Sequence, residues 1–129
     1  MTQSVGFHEN EDVLDPETRD RHRANASLNE ELEAVDWYDQ RVKAAHDDEL
    51  RQILAHNRDE EKEHAAMVLE WLRRRDPKLD EHLRNYLFNA KSPIEREHEL
   101  EGEGGEAAGG SDGSDGSLGI GSLREEGGL

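Results

Sequence analysis

The chain has 129 residues, of which 32 % are apolar, and its 32 acidic against 16 basic residues give a formal net charge of −16. That balance disfavours nucleic acid, whose phosphates require Lys and Arg, and favours cations as ligands or substrates. The absence of cysteine excludes disulfides, thiolate zinc sites and thiol catalysis and fits a reducing cytoplasm, while no membrane-length apolar run and no N-terminal leader pattern is present.

Residues 1–14 carry no clear element and are expected to be disordered. Asp15-Pro16-Glu17 then reads as an N-cap, a proline in the first turn and an acid at the positive end of the helix dipole. Nothing breaks this first helix until about residue 46. Asp47 and Asp48 cap a second helix that runs to about residue 75, where three arginines sit at the negative end of its dipole. Asp76-Pro77 ends it and opens a third, over about 78–88, and Ser92-Pro93 starts a short fourth. Neither Gly nor Pro lies between Pro16 and Pro77, so the two long helices are predicted to form an antiparallel hairpin joined by a very short turn. The fold class is therefore all-α, with residues 15–98 as one helical domain.

The remaining residues have a different composition. Eleven of the twelve glycines lie between Gly102 and Gly128, and residues 99–129 hold eight acids and one base. Such a segment buries too little apolar surface to offset its ordering entropy, and residues 99–116 are expected to form a flexible acidic tether.

At 100° per residue, Ala24, Leu28, Val35, Tyr38 and Val42 share one stripe of the first helix, with Leu32 at its edge. Leu50, Leu54, Ala65, Val68 and Leu72 form the matching stripe of the second, flanked by Ile53, Leu69 and Trp71. Two stripes make half a four-helix bundle, and a folded part of about one hundred residues is small enough to need a partner subunit.

Two carboxylates sit in these stripes. Glu31 is one turn from Leu28 and Val35, and Glu61 is four residues before Ala65. A carboxylate centred on a core face takes a proton, a cationic partner or a metal. His64 follows Glu61 at i+3, the Glu-x-x-His spacing of carboxylate-bridged di-metal sites in helical bundles. An internal ion pair with Arg58 or Lys62 is the alternative. A second copy of the spacing, Glu95 and His98, has Lys91, Ser92 and Glu99 as neighbours and is expected to be solvated.

A di-iron carboxylate site takes four carboxylates and two histidines. One hairpin offers Glu31, Glu61 and His64, so a two-fold axis doubles three ligands to six and places the site across a homodimer interface. Oxygen ligands with imidazole suit Fe(II), Mn(II) or, less well, zinc. Tyr38, about two turns from Glu31, either bonds a ligand carboxylate, acts as a redox-active neighbour or is an ordinary core tyrosine. Glu30, Glu33 and Trp37 share a second face of the first helix, and His56, Glu60 and Glu63 share one of the second. Each cluster either guides cations or is a solvated helix face.

The stretch Glu30-Glu31-Leu32-Glu33-Ala34-Val35-Asp36-Trp37-Tyr38, with His56-Asn57-Arg58-Asp59-Glu60-Glu61-Lys62-Glu63-His64-Ala65, resembles the encapsulated ferritins over residues 18–88. In the tail, Ser117-Leu118-Gly119-Ile120-Gly121-Ser122-Leu123-Arg124 resembles the cargo-loading peptide of encapsulin nanocompartments, which assigns residues 117–129 to targeting. The resemblance implies a ferroxidase turning Fe(II) into Fe(III) at a di-iron centre, built from dimers that rebuild a ferritin-like four-helix bundle and assemble into a ring of ten. It implies Glu31, Glu61 and His64 as ferroxidase ligands with Tyr38 beside them. Glu30, Glu33 and Trp37 would form an entrance site, and His56, Glu60 and Glu63 an outer site, each open to Ca²⁺ or other divalent cations. The partner would be the encapsulin shell, whose cytoplasmic lumen keeps the iron that an open ring cannot enclose. A non-catalytic metal-buffering or adaptor protein carried as cargo is the alternative.

Overall fold

The computed structural model describes residues 6–107, which contain helices and turns and no strand. Four α-helices follow in order: α1 (Pro16–Ala44), α2 (Asp48–Arg75), α3 (Pro77–Tyr86) and α4 (Pro93–Ala107). The described residues divide into two compact units, one ending at Pro77 and the other beginning at Lys78.

In the first unit the predicted caps set the helix starts. The Asp15 side chain accepts from the Thr18 N–H at 2.8 Å, with Pro16 opening α1, and that of Asp47 accepts from the Leu50 N–H at 2.8 Å. Each satisfies one of the amide donors that a helix N-terminus leaves without an intrahelical partner. The turn between α1 and α2 is three residues, Ala45 to Asp47. Arg51 fastens it by donating from Nε and Nη2 to the Ala45 carbonyl, at 3.0 and 2.5 Å. So short a turn returns α2 antiparallel along α1. Asp39 pairs with Arg58, Glu31 faces Glu61 and His64, and Ala24 and Ser27 line a groove with Val68 and Trp71.

Only Ala65 and Leu72, 7 % and 6 % exposed, are buried apolar residues among those described. Leu32, Leu50, Ile53 and Met67 keep about half or more of their surface open. Ile53 and Trp71 stand eleven residues before and seven after His64, which puts all three on one line of α2. The face carrying the histidine is thus an apolar face left open within a single hairpin.

Two segments depart from the sequence expectation. Residues 6–14 were expected to be disordered, yet Glu11–Val13 form a 3₁₀ turn capped by Asn10. Arg19 of α1 donates to the Glu11 carbonyl at 2.8 Å, and the Phe7 ring lies 4.7 Å from that of His22. Local composition does not reveal partners eight and fifteen residues away. In the second unit α4 continues past His98 to Ala107, nine residues into the stretch expected as tether. A reciprocal capping box starts it: Ser92 Oγ accepts from the Glu95 N–H, and Glu95 Oε1 accepts from the Ser92 N–H. Glu99 then pairs with Lys91 and Arg96, and Arg96 donates to the Asn85 carbonyl at 2.9 Å, linking α4 to the end of α3. Residues 117–129, expected from the resemblance to serve targeting, lie outside the described residues.

Candidate metal centre

Glu31 comes from the middle of α1, and Glu61 and His64 come from successive turns of α2. The hairpin register brings one ligand atom of each within 4.8 Å of the other two. His64 Nδ1 lies 3.4 Å from Glu61 Oε1 and 3.6 Å from Glu31 Oε1. All three side chains are half-buried, 26, 24 and 42 % exposed in the order Glu31, Glu61, His64.

The electrostatics follow from placing two carboxylates against each other. The hydrogen bond between Glu31 and Glu61, then burial and the charge of Glu61, push the Glu31 pKa up. The same hydrogen bond, with support from His64, pulls Glu61 down. The two carboxyls therefore titrate as a pair, in which Glu31 holds a proton more tightly than Glu61 does. Burial alone would lower the His64 pKa, but its hydrogen bond to Glu61 and the charges of Glu31, Glu61 and Glu60 outweigh that and raise it. Two facing carboxylates beside an imidazole thus make a cluster that attracts positive charge. A divalent cation balances the charge of two carboxylates, and two oxygen donors with one imidazole nitrogen suit Fe(II), Mn(II) or Zn(II).

Neither basic neighbour takes the role that an internal ion pair would require. Arg58 donates to Asp39 at 3.0 Å and to Asp59 at 3.1 Å, and Lys62 lies 3.4 Å from Asp59. Nothing in the helical periodicity singles out Asp39. The register that places Glu31 opposite Glu61 and His64 is the signal that puts residue 39 opposite residue 58.

The other candidate residues are not gathered into comparable groups. Among the described residues Glu31, Glu61 and His64 form the one cluster of three His, Asp or Glu side chains with converging ligand atoms. His56 Nε2 is 3.5 Å from Glu60 Oε2, while Glu63 lines a separate groove with Met67, Glu70 and Trp71. Glu30 is exposed, Glu33 half-buried and Trp37 half-exposed on α1. The Tyr38 ring lies under the Arg41 guanidinium, 5.2 Å from its carbon. Glu95 serves the α4 cap and His98 is exposed, so the second Glu-x-x-His builds no site.

The chain is similar to several known proteins. An encapsulated ferritin-like protein of Rhodospirillum rubrum is 61 % identical over 131 residues, covering 98 % of this chain and 93 % of the relative. A ferritin-like protein of Thermotoga maritima is 51 % identical over 117 residues, covering 91 % and 96 %. The crystal structure of protein NE0167 from Nitrosomonas europaea superposes with a TM-score of 0.66 at 62 % identity, covering 68 % of this chain and 97 % of that one. The EncFtn-like family model matches residues 6–90, and the chain belongs to that family.

Proposed function

We propose that the protein is a ferroxidase that oxidises Fe(II) at a di-iron site shared by two copies of the chain, and that it works as cargo of an encapsulin shell that stores the product. The observation that carries this reading is the convergence of Glu31, Glu61 and His64 on a helix face whose apolar surroundings are open. One hairpin offers two carboxylates and one imidazole. A two-fold axis through that face doubles them to four and two, and four carboxylates balance two divalent cations. The apolar stripes would complete their core in the same contact, giving a ferritin-like four-helix bundle.

In this reading iron is the substrate. Two Fe(II) held about 3.5–4 Å apart each give up one electron, and O₂ takes both electrons and two protons and leaves as hydrogen peroxide. Glu31 and Glu61 would stabilise the extra positive charge on each Fe(III), and His64 would supply the imidazole ligand. Tyr38, about two turns from Glu31 on the same stripe, would orient a carboxylate of the assembled site. Glu30, Glu33 and Trp37 would collect cations on their way in, and His56, Glu60 and Glu63 would hold them on the outer face. The names of the relatives support the shell association, as does the resemblance of residues 117–124 to a loading peptide. That peptide puts the ring of dimers in the lumen of a cytoplasmic nanocompartment.

The test is anaerobic loading with Fe(II) followed by air. Oxygen uptake by the native protein, with loss of at least about tenfold in rate for Glu61→Ala and His64→Ala, is expected. Iron bound without oxygen uptake, or variants as fast as the native chain, would leave a metal-buffering cargo in its place.

A further inference from the structure

Arg58 lies three residues before Glu61, so the two are neighbours on the surface of α2. A helical glutamate leans toward the N-terminus, which here is toward Arg58. Charge and spacing along α2 would therefore join Arg58 to Glu61. The observed guanidinium does something else. Its Nη1 donates across the hairpin to Asp39 Oδ1 at 3.0 Å, and its Nε donates to Asp59 at 3.1 Å. Asp59 also takes Lys62, the other cation adjoining Glu61. The Arg58 side chain is 24 % exposed, half-buried against the other helix rather than loose in solvent.

We infer that Asp39 is a positioning residue for the metal site: by holding the Arg58 guanidinium across the hairpin, it keeps a competing cation off the Glu31 and Glu61 oxygens and so sets their affinity for a divalent metal. The inference rests on the reading of Glu31, Glu61 and His64 as metal ligands. A guanidinium is charged at every physiological pH and matches a carboxylate with two parallel N–H donors. It and a metal ion are alternatives for the same lone pairs. Without Asp39, Arg58 keeps only the single Nε bond to its sequence neighbour Asp59, and rotation of its side chain brings the guanidinium to Glu61 one turn along.

A double-mutant cycle separates this role from simple support of the hairpin. Apo full-length protein is titrated with Co(II) under argon, reading its visible ligand-field absorption, and in parallel by calorimetry. Asp39→Ala is expected to bind Co(II) about tenfold more weakly than the native chain, although no ligand has changed. Arg58→Ala, with no guanidinium to compete, is expected to bind at least as tightly as the native chain, and the double variant to return to the Arg58→Ala value. A bond that merely braced the hairpin would give equal losses for both single variants and no rescue. The loss of one negative charge from the site's field would persist in the double variant. Either pattern overturns the inference, as does unchanged affinity in Asp39→Ala. Should Asp39→Ala lose its helical circular dichroism, the same cycle is read on Asp39→Asn, which removes the charge and keeps the shape. Glu61→Ala in the same series tests the underlying site. If it binds Co(II) as the native chain does, the ligand assignment fails, whereas if it loses Co(II) while Asp39→Ala does not, only the positioning role fails.

Discussion

Ile53→Ala tests whether a second copy of the chain covers the open face of α2. In one hairpin Ile53 is 51 % exposed, whereas Leu72 is 6 % exposed. Truncating isoleucine to alanine removes three carbons, about 2.4 kcal/mol if all were buried and therefore about 1.2 kcal/mol at half exposure. If a partner packs on the line of Ile53, His64 and Trp71, the full transfer term returns and a cavity term is added, for about 2–4 kcal/mol per subunit. Leu72→Ala is the internal standard, because its side chain is already buried within one copy of the chain, and it should cost about 2–4 kcal/mol with or without a partner. The assay is urea unfolding of the full chain by far-UV circular dichroism, at two protein concentrations a hundredfold apart. The shared-site reading expects the two variants to cost nearly the same and the native midpoint to rise with concentration. A cost near 1 kcal/mol for Ile53→Ala, with a midpoint independent of concentration, would refute the covered face and with it the two-fold site.

Three other outcomes follow from local features. Asp47→Ala removes the acceptor of the Leu50 N–H and should lower stability by about 1 kcal/mol in the same unfolding assay, since the turn it caps is only three residues long. Glu70 is held at a pKa of about 2 by Arg73 and then Arg74. A depressed pKa contributes stability at pH values above the ordinary carboxylate range, and this contribution is lost as pH falls from about 4.5 through about 2. The pair is partly exposed, so screening reduces the effect to roughly 0.5 kcal/mol, and Glu70→Gln should flatten that part of the pH–stability curve in acid titration. Deleting residues 117–129 should abolish co-purification with a co-expressed encapsulin shell while leaving Fe(II) oxidation by the free protein intact, and retained loading would end the targeting assignment.

The starts and stops of the helices could be read from single residues, because each depends on groups within four positions. Asp15-Pro16, Asp47, Asp76-Pro77 and Ser92-Pro93 stand at the observed boundaries. The same short range explains why Glu31, Glu61 and His64 could be picked out. An acid within an apolar stripe is visible in the periodicity, and one antiparallel register then brings two stripes together. What local patterns could not supply was the choice among partners. Arg58 has Glu61 at the favoured helical spacing yet bonds to Asp39, nineteen residues away, because packing of α1 against α2 puts that carboxylate within 3.0 Å. Residues 6–14 and the second half of α4 were likewise unreadable, since Arg19, Phe7 and His22 hold the first, and Lys91, Arg96 and Glu99 tie down the start of the second. Sequence by itself determined the helices, the excess of acid and which carboxylates face inward, all consequences of short-range capping and periodicity. Only the tertiary structure decided which charges neutralise one another, and therefore which pair of glutamates is left facing His64 and open to a metal.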